Sequence, residues 1–246
     1  MVFHLAWGVA GAKAAAERGD AIAVIDALRF TSASVTAVHN GFTVIPAKNE
    51  VEARSLSIKH HAAPGKAGIC ALSPRQFIDA PPLRIVLPSP HGATVCCEVG
   101  GAGALLASFL NAQAAAKAIA RASDETGRNA TIIVSGEIGG DRRANMYRFE
   151  ADLAKGNDIF CFEDYACAGC VSSYLPGSKS LDLQAAEGVY LENKARLVGC
   201  IRECVSGRYL SAKGFDADVD FCARLNPFTC VPRIVKENGD AIIVGD

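Results

Sequence analysis

Acidic, basic and hydroxyl side chains follow an apolar segment near the start of this chain. Residues 22–25 contain only isoleucine, alanine and valine, which is typical of a strand buried on both faces of a sheet. Asp26 and Arg29 come next, and Thr31 and Ser32 lie where the following helix should begin. The free backbone N–H groups of a helix start bind anions, and a nearby carboxylate can hold a divalent metal. The unit therefore predicts an anion or metal site; the alternative is a solvated turn in which Arg29 pairs with Asp26.

Two more apolar segments end in polar turns of the same kind. Residues 84–87 and 131–134 each have the composition of a buried strand. The turns after them carry groups that can contact a ligand: Ser89, His91, Gly92 and Thr94 after the first, and Ser135, Gly136 and Glu137 after the second. Ligands of open α/β sheets bind at the carboxyl ends of the strands. We therefore expect the three turns to converge if their strands are adjacent and parallel.

The acidic side chains among the candidates are the hard oxygen ligands that Mg²⁺ binds: Asp26, Glu137, Glu163 and Asp164. We predict Asp26, Glu163 and Asp164 as the metal ligands. For the adjacent pair Glu163-Asp164 the alternative is that one acid caps a helix and the other faces water. A metal ion with positioned donors is what phosphoryl transfer mainly needs.

The remaining candidates would hold or protonate a substrate. Arg29 can bind an anionic group through two hydrogen bonds. His91 can act as a general acid or anion donor, or it can simply hydrogen-bond within its own turn. With Asp26 and Glu137 these two residues are the predicted catalytic groups. The predicted substrate-binding donors are the hydroxyl and backbone groups of Thr31, Ser32, Ser89, Gly92 and Thr94, together with Arg29.

Strands and helices alternate along most of the chain. Helices are expected over 8–18, 50–58, 111–122 and 160–175, and over most of 182–226, while two short strands are expected near the C-terminus. This alternation predicts an α/β fold with three layers, α/β/α, and a largely parallel or mixed central sheet. We expect one domain over residues 1–246; a second lobe, if there is one, would begin at about residue 139, where a charged segment starts.

The composition excludes several classes of protein. Half of the 246 residues are hydrophobic and the formal net charge is −1, whereas a nucleic-acid-binding protein normally has a clear basic excess. No apolar run is long enough to span a membrane, and the first residues lack the basic region of a signal peptide. A cytoplasmic protein without a membrane partner is therefore expected.

Ten cysteines raise the question of a metal or redox site. Cys167 and Cys170 have the C-x-x-C spacing, and Cys200 and Cys204 lie about thirty residues further on with no histidine among them. Zinc sites normally use two tight pairs around a compact loop. Because Cys167 and Cys170 lie in a run of small residues, we expect them to pack inside a helix as reduced thiols, with a zinc or redox role as the alternative.

The motifs together resemble the ComB-type 2-phosphosulfolactate phosphatase family. Residues 24–34 match its Ile-Asp-hydrophobic-Leu-Arg/Ser-x-Thr/Ser signature, and residues 86–94 resemble its strand and glycine-containing turn, with His91 where the family usually has asparagine. Further pieces follow in the family's order: Leu110-Asn111-Ala112, Ser135-Gly136-Glu137, Glu163-Asp164, and Ser206-Gly207-Arg208 with Gly214 and Asp218-Val219. Two other phosphatase signatures are missing, because Asp26 lacks the second acid of Asp-x-Asp and no P-loop is present.

The resemblance implies a fold, an activity and a site. It implies Mg²⁺-dependent hydrolysis of a phosphate ester of a small sulfonated carboxylate, in the route to coenzyme M, by an α/β/α homo-oligomer. It adds Asn111 to the substrate-binding residues. The segment after Glu137 is longer than in the family, so another phosphorylated hydroxy acid is a possible substrate. The alternative function is a non-catalytic relative that binds a small phosphorylated or sulfonated acid as a sensor or interaction module.

Overall fold

A computed structural model describes residues 1–64, 72–99, 103–138 and 158–245 of the chain. Residues 139–157, which make up nearly all of the expected charged segment, lie outside the described residues. None of the helices that the structure describes combines the length and apolar character that a membrane crossing needs.

The described residues form twelve strands and ten α-helices. The strands are β1 (Val2–Trp7), β2 (Ala21–Ile25), β3 (Thr43–Ala47), β4 (Ala63–Pro64), β5 (Arg84–Pro88), β6 (Leu105–Ala107), β7 (Ala130–Val134), β8 (Glu137–Ile138), β9 (Asp158–Ile159), β10 (Ser178–Lys179), β11 (Arg233–Glu237) and β12 (Asp240–Val244). The helices are α1 (Gly8–Arg18), α2 (Phe30–His39), α3 (Glu50–Lys59), α4 (Gly92–Val99), α5 (Ala112–Thr126), α6 (Phe162–Ser172), α7 (Leu181–Asn193), α8 (Leu197–Glu203), α9 (Val205–Ser211) and α10 (Asp216–Cys222).

Ten of these strands make one mixed sheet in the order β10-β1-β7-β2-β6-β11-β12-β3-β5-β4. The first five strands of that order are parallel to one another, and so are β3, β5 and β4. The hairpin of β11 and β12 joins the two groups through antiparallel pairs. Strands β8 and β9 pair separately. The architecture confirms the expected α/β/α fold.

Strand β2 shows why helices cover both faces of the sheet. Its residues Ala23 and Ile25 pack into a core with α5, α6 and α7, whereas Ile22 and Val24 pack into a second core with α1, α2 and α4. Successive side chains of a strand point to opposite faces, so an apolar segment without alternation must be buried on both sides. The sheet is therefore the middle layer.

Two features of the sheet differ from the sequence-based expectation. Strand β1 was not predicted, because Val2–Trp7 runs directly into α1 without a turn signal and has a mixed pattern of burial. Strands β2 and β7 are adjacent and parallel as expected, but four strands separate β2 from β5, and the antiparallel hairpin reverses the sense of β5. Strand twist of about 20–25° for each neighbouring pair accumulates to a rotation on the order of 100° across that distance. Strands β2 and β5 are therefore not the adjacent, parallel pair that was expected. The turn after β5 lies at the end of β2 because of the twist of the sheet between them.

Helices α6 and α7 pack closely through a glycine. A Cβ atom added to Gly169 would lie 2.0 Å from the carbonyl oxygen of Ala186 on α7. Cys167 and Cys170 are fully buried in the same helix, where their thiols belong to the core. The small side chains of α6 thus allow the two helices to approach each other.

We predict that Gly169→Ala destabilises the protein by about 3 kcal/mol, because the new methyl group meets backbone that cannot rotate away. Gly188→Ala is the matched control: it lies on α7 with open space around its Cβ position, and alanine should stabilise that helix by about 0.5–1 kcal/mol. Urea denaturation of both variants measures the difference. Equal stability of the two variants would show that the helices can separate at no cost.

Candidate active site

Asp26 connects the starts of two helices. Its Oδ1 accepts a hydrogen bond from the backbone N–H of Phe30 (3.2 Å), the first residue of α2. Its Oδ2 accepts from the backbone N–H of Gly92 (2.9 Å), the first residue of α4, and lies 3.5 Å from the hydroxyl of Ser89. A Cβ atom at position 92 would lie 2.6 Å from Oδ2, so this approach requires glycine. The carboxylate of Asp26 therefore binds one N–H group at the start of each helix, at a place where the sequence predicts a bound anion.

Asp164 makes an equivalent connection between two strands. Its Oδ1 accepts from the backbone N–H of Ala27 (2.7 Å), just after β2, and its Oδ2 accepts from the backbone N–H of Gly136 (3.1 Å), just after β7. Gly136 has a φ of 63°, a left-handed conformation that glycine adopts readily. Asp164 is buried on α6, so the alternative in which one of the two adjacent acids faces water is wrong.

Glu163 is also buried, and its surroundings oppose its ionisation. Burial raises the pKa of its carboxyl and the charge of Glu137 adds to this effect, while the nearby hydroxyl of Ser206 acts in the opposite direction. Burial likewise raises the pKa of Asp164 well above its usual range, and the charges of Asp26 and Glu163 contribute. The charges of Glu163 and Asp164, the two predicted metal ligands on α6, thus interact with those of Asp26 and Glu137.

His91 and Glu137 come together beside this group. The Nε2 atom of His91 lies 3.2 Å from Oε2 of Glu137, and both residues are 5% exposed. The backbone N–H of His91 also donates to the hydroxyl of Ser89 (3.4 Å), which keeps the turn closed. The two atoms are within ion-pair distance, but they do not form a hydrogen bond with each other, so the contact is electrostatic. An imidazole at such a place can act as a general acid. The structure thus brings together two of the four predicted catalytic residues.

Arg29 has a different partner from the one considered in the sequence. Its Nη1 forms a buried ion pair with Oδ2 of Asp218 on α10, and its guanidinium lies 4.6 Å from the ring centroid of Phe215. The hydroxyl of Ser73 donates to the other oxygen of Asp218 (2.8 Å). The proposed pairing of Arg29 with Asp26 is therefore wrong. A buried pair of this kind is costly to break. Arg29 is therefore better suited to hold α10 against the loop that follows β2.

Several predicted substrate-binding groups form hydrogen bonds within the fold. Thr31 bonds the backbone of Asp26 through its hydroxyl, Ser32 donates to the carbonyl of Ala27, and Thr94 donates to that of Pro90. Helix α2 begins at Phe30, so Thr31 and Ser32 lie inside its first turn instead of capping it.

Asn111 lies in a short 3₁₀-helix before α5, where its side chain serves the backbone. Its amide nitrogen donates to the carbonyls of Leu106 (3.2 Å) and Cys230 (3.0 Å), and its oxygen accepts from the N–H of Ser108 (2.9 Å). All of these partners are backbone groups of neighbouring segments. The contacts indicate that Asn111 joins β6 to the segment before β11.

The comparisons with known proteins address the family. A family model described as 2-phosphosulpholactate phosphatase matches residues 81–237, which is more than half of the chain. The chain belongs to this family. A protein of Pseudothermotoga lettingae, named a probable 2-phosphosulfolactate phosphatase, is 23% identical over 223 residues, which cover 87% of this chain and 89% of the relative. The predicted resemblance and the prediction of a phosphoric monoester hydrolase are thereby confirmed.

The donor chemistry of the site fits Mg²⁺. Asp26, Glu163 and Asp164 are buried carboxylates, and a cation would offset the burial and the mutual repulsion that together raise the pKa of the two acids on α6. Among the described residues, no three acidic, histidine or cysteine side chains already stand in a metal-ligand arrangement. The backbone bonds of Asp26 and Asp164 leave each oxygen with a further lone pair for a ligand.

Sequence reasoning missed two residues around the site. Asp218, the partner of Arg29, is 189 positions away along the chain, and the buried hydroxyl of Ser206 is close enough to Glu163 to affect the pKa of its carboxyl. Both lie in the motifs that carried the family resemblance, which was the available signal.

The raised pKa of Glu163 predicts a pH dependence of stability in metal-free protein. A carboxyl with a raised pKa stays protonated in the folded protein when the unfolded chain has already lost its proton. Folding stability then falls as pH rises from about 4.3, the ordinary value of glutamate, through the folded pKa. Glu163→Gln removes this loss, so we expect the variant to gain stability relative to the wild type between pH 5 and pH 8.

Urea denaturation midpoints of EDTA-treated proteins at each pH test this prediction. Glu203→Gln, at an exposed position of α8, is the control and should follow the wild-type profile. A stability difference between Glu163→Gln and wild type that stays constant over the whole pH range would contradict it.

Proposed function

We propose that this protein hydrolyses 2-phosphosulfolactate to 3-sulfolactate and inorganic phosphate in a Mg²⁺-dependent reaction in the cytoplasm. The family and the name of the relative support the substrate. The single observation that supports catalysis is the buried contact of 3.2 Å between His91 and Glu137, next to the turn that Asp26 holds. A module that only bound its ligand would not need a proton-transferring pair at this place.

The reaction replaces the ester oxygen on phosphorus with the oxygen of water. The P–O bond to the substrate breaks, and the departing oxygen must gain a proton. We assign this proton to the imidazole of His91, and the carboxylate of Glu137, close to Nε2, stabilises the protonated ring until transfer. Both side chains are buried, so bulk water competes little for the proton.

Asp26, Glu163 and Asp164 are the residues that would hold the metal ion. When bound, Mg²⁺ would neutralise charge on the phosphate oxygens and polarise the phosphorus centre. Asp26 also has a positioning role, because it fixes the loop of His91 against the end of β2 through the N–H of Gly92. Loss of its negative charge would therefore affect both metal binding and the position of the proton donor.

Asp26→Asn should lower phosphate release from 2-phosphosulfolactate by at least a hundredfold, because asparagine keeps one acceptor oxygen but loses the charge. Asp20→Asn is the matched control. Asp20 is also buried, but it lies at the other end of β2, where it accepts from Thr131 and Arg18. The assay measures released phosphate with EDTA and with added Mg²⁺, and the wild type should require the metal. Equal turnover by Asp26→Asn and wild type would refute the assignment, and ligand binding without turnover by either would refute the enzyme.

His91→Gln should lower kcat by about a hundredfold to ten-thousandfold, the usual contribution of a general acid. If Glu137 acts by stabilising the protonated imidazole, Glu137→Gln should cost less, and the double variant should be no slower than His91→Gln alone. The measurement is a double-mutant cycle on kcat at saturating substrate. Additive losses would show that the two residues act independently.

A further inference from the structure

The proposed substrate carries acid groups besides its phosphate, and these need a cationic partner. Arg29 was the candidate from the sequence, but its guanidinium forms a buried ion pair with Asp218. The fold therefore has to supply positive charge from another element. A cavity could supply this charge if it is lined by an arginine and also reaches the acidic side chains around Asp26.

One cavity meets that condition. It has a volume of about 350 Å³ and lies among α6, the segment after α7, and the helices α8 and α9. Glu163 lines it from within, so the cavity borders directly on the predicted metal ligands. Arg196 and Arg208 line it from the exposed side, and Phe160 and Phe162 contribute apolar wall.

The charges of these two arginines are not neutralised by the described residues. Arg208 forms no ion pair with any carboxylate in the part of the chain that the structure describes, although exposed Glu203 lines the same cavity. Arg196 donates from Nε (3.1 Å) and Nη2 (2.8 Å) to Oδ1 of Asn193, a neutral group that orients the guanidinium without cancelling its charge. Nearby Arg202, in contrast, is paired with Asp220 through two hydrogen bonds.

We propose that this cavity is the subsite for the sulfonate and carboxylate groups of the substrate, with Arg208 as the main contact and Arg196 as the second. The proposal rests on the proposed function and names the part of the site that selects an acidic alcohol. Guanidinium groups match the planar arrangement of carboxylate and sulfonate oxygens and bind them through paired hydrogen bonds. The phosphate would then lie on the other side of Glu163, towards His91.

The test compares an acidic with a neutral phosphate ester. We would measure kcat/KM for 2-phosphosulfolactate and for glycerol 2-phosphate and take their ratio for wild type, Arg208→Gln, Arg196→Gln and Arg202→Gln. In Arg208→Gln the ratio should fall about tenfold to a hundredfold, mainly through KM, as expected for the loss of hydrogen bonds to a charged group. Arg202→Gln, which changes an exposed arginine outside the cavity lining, should keep the wild-type ratio.

Two outcomes separate this inference from the proposed function. If wild type releases phosphate but Arg208→Gln keeps the ratio within twofold, the subsite is wrong and the function stands. If wild type hydrolyses neither ester, the function is wrong, and calorimetric binding of 3-sulfolactate then decides the subsite. Binding that weakens at least tenfold in Arg208→Gln supports it, whereas equal binding or none overturns it.

Discussion

The arrangement of this site depends on two buried carboxylates that accept backbone hydrogen bonds from distant parts of the chain. Asp26 holds the first N–H groups of α2 and α4, and Asp164 holds the N–H groups after β2 and β7. A buried carboxyl group and a buried N–H group each cost free energy when they lack a partner, and an ionised carboxyl costs the most. Each interaction therefore stabilises both partners, and together they fix four segments around one point.

These hydrogen bonds of Asp26 and Asp164 change how the site must bind a phosphate. Helix starts usually offer their N–H groups to an anionic ligand, but here Asp26 already uses the first one of α2 and the first one of α4. Burial, together with the charges of the neighbouring acids, raises the pKa values of Glu163 and Asp164. A phosphate ester can enter such a place only if cations accompany it. We therefore expect a metal ion at the carboxylates, and the uncompensated arginines nearby would supply further positive charge.

Much of the fold and the site could be predicted from the sequence, because local patterns determine them. The buried strand ending at Ile25 follows from composition alone, and the structure has it, whereas Glu137, predicted within a polar turn, is the first residue of the short strand β8. What an individual side chain contacts could not be predicted in this way. Asn111 has the chemistry of a ligand-binding residue, yet its amide bonds three backbone groups of neighbouring segments. Spacing along the chain carries no information about such partners.

Arg29 and Arg208 show that the sequence also does not reveal which charged side chains are already paired in the fold. Both are arginines within segments that resemble the family, and only Arg29 was predicted from the sequence to bind an anion. The fold separates them, because α10 brings Asp218 to Arg29 in the interior, whereas Arg208 lies on an exposed side of α9 at the edge of a cavity. A paired guanidinium in the interior stabilises the structure, and an uncompensated one beside a cavity is available to a ligand. Recognition of an acidic substrate is therefore decided by tertiary packing more than by the motif itself.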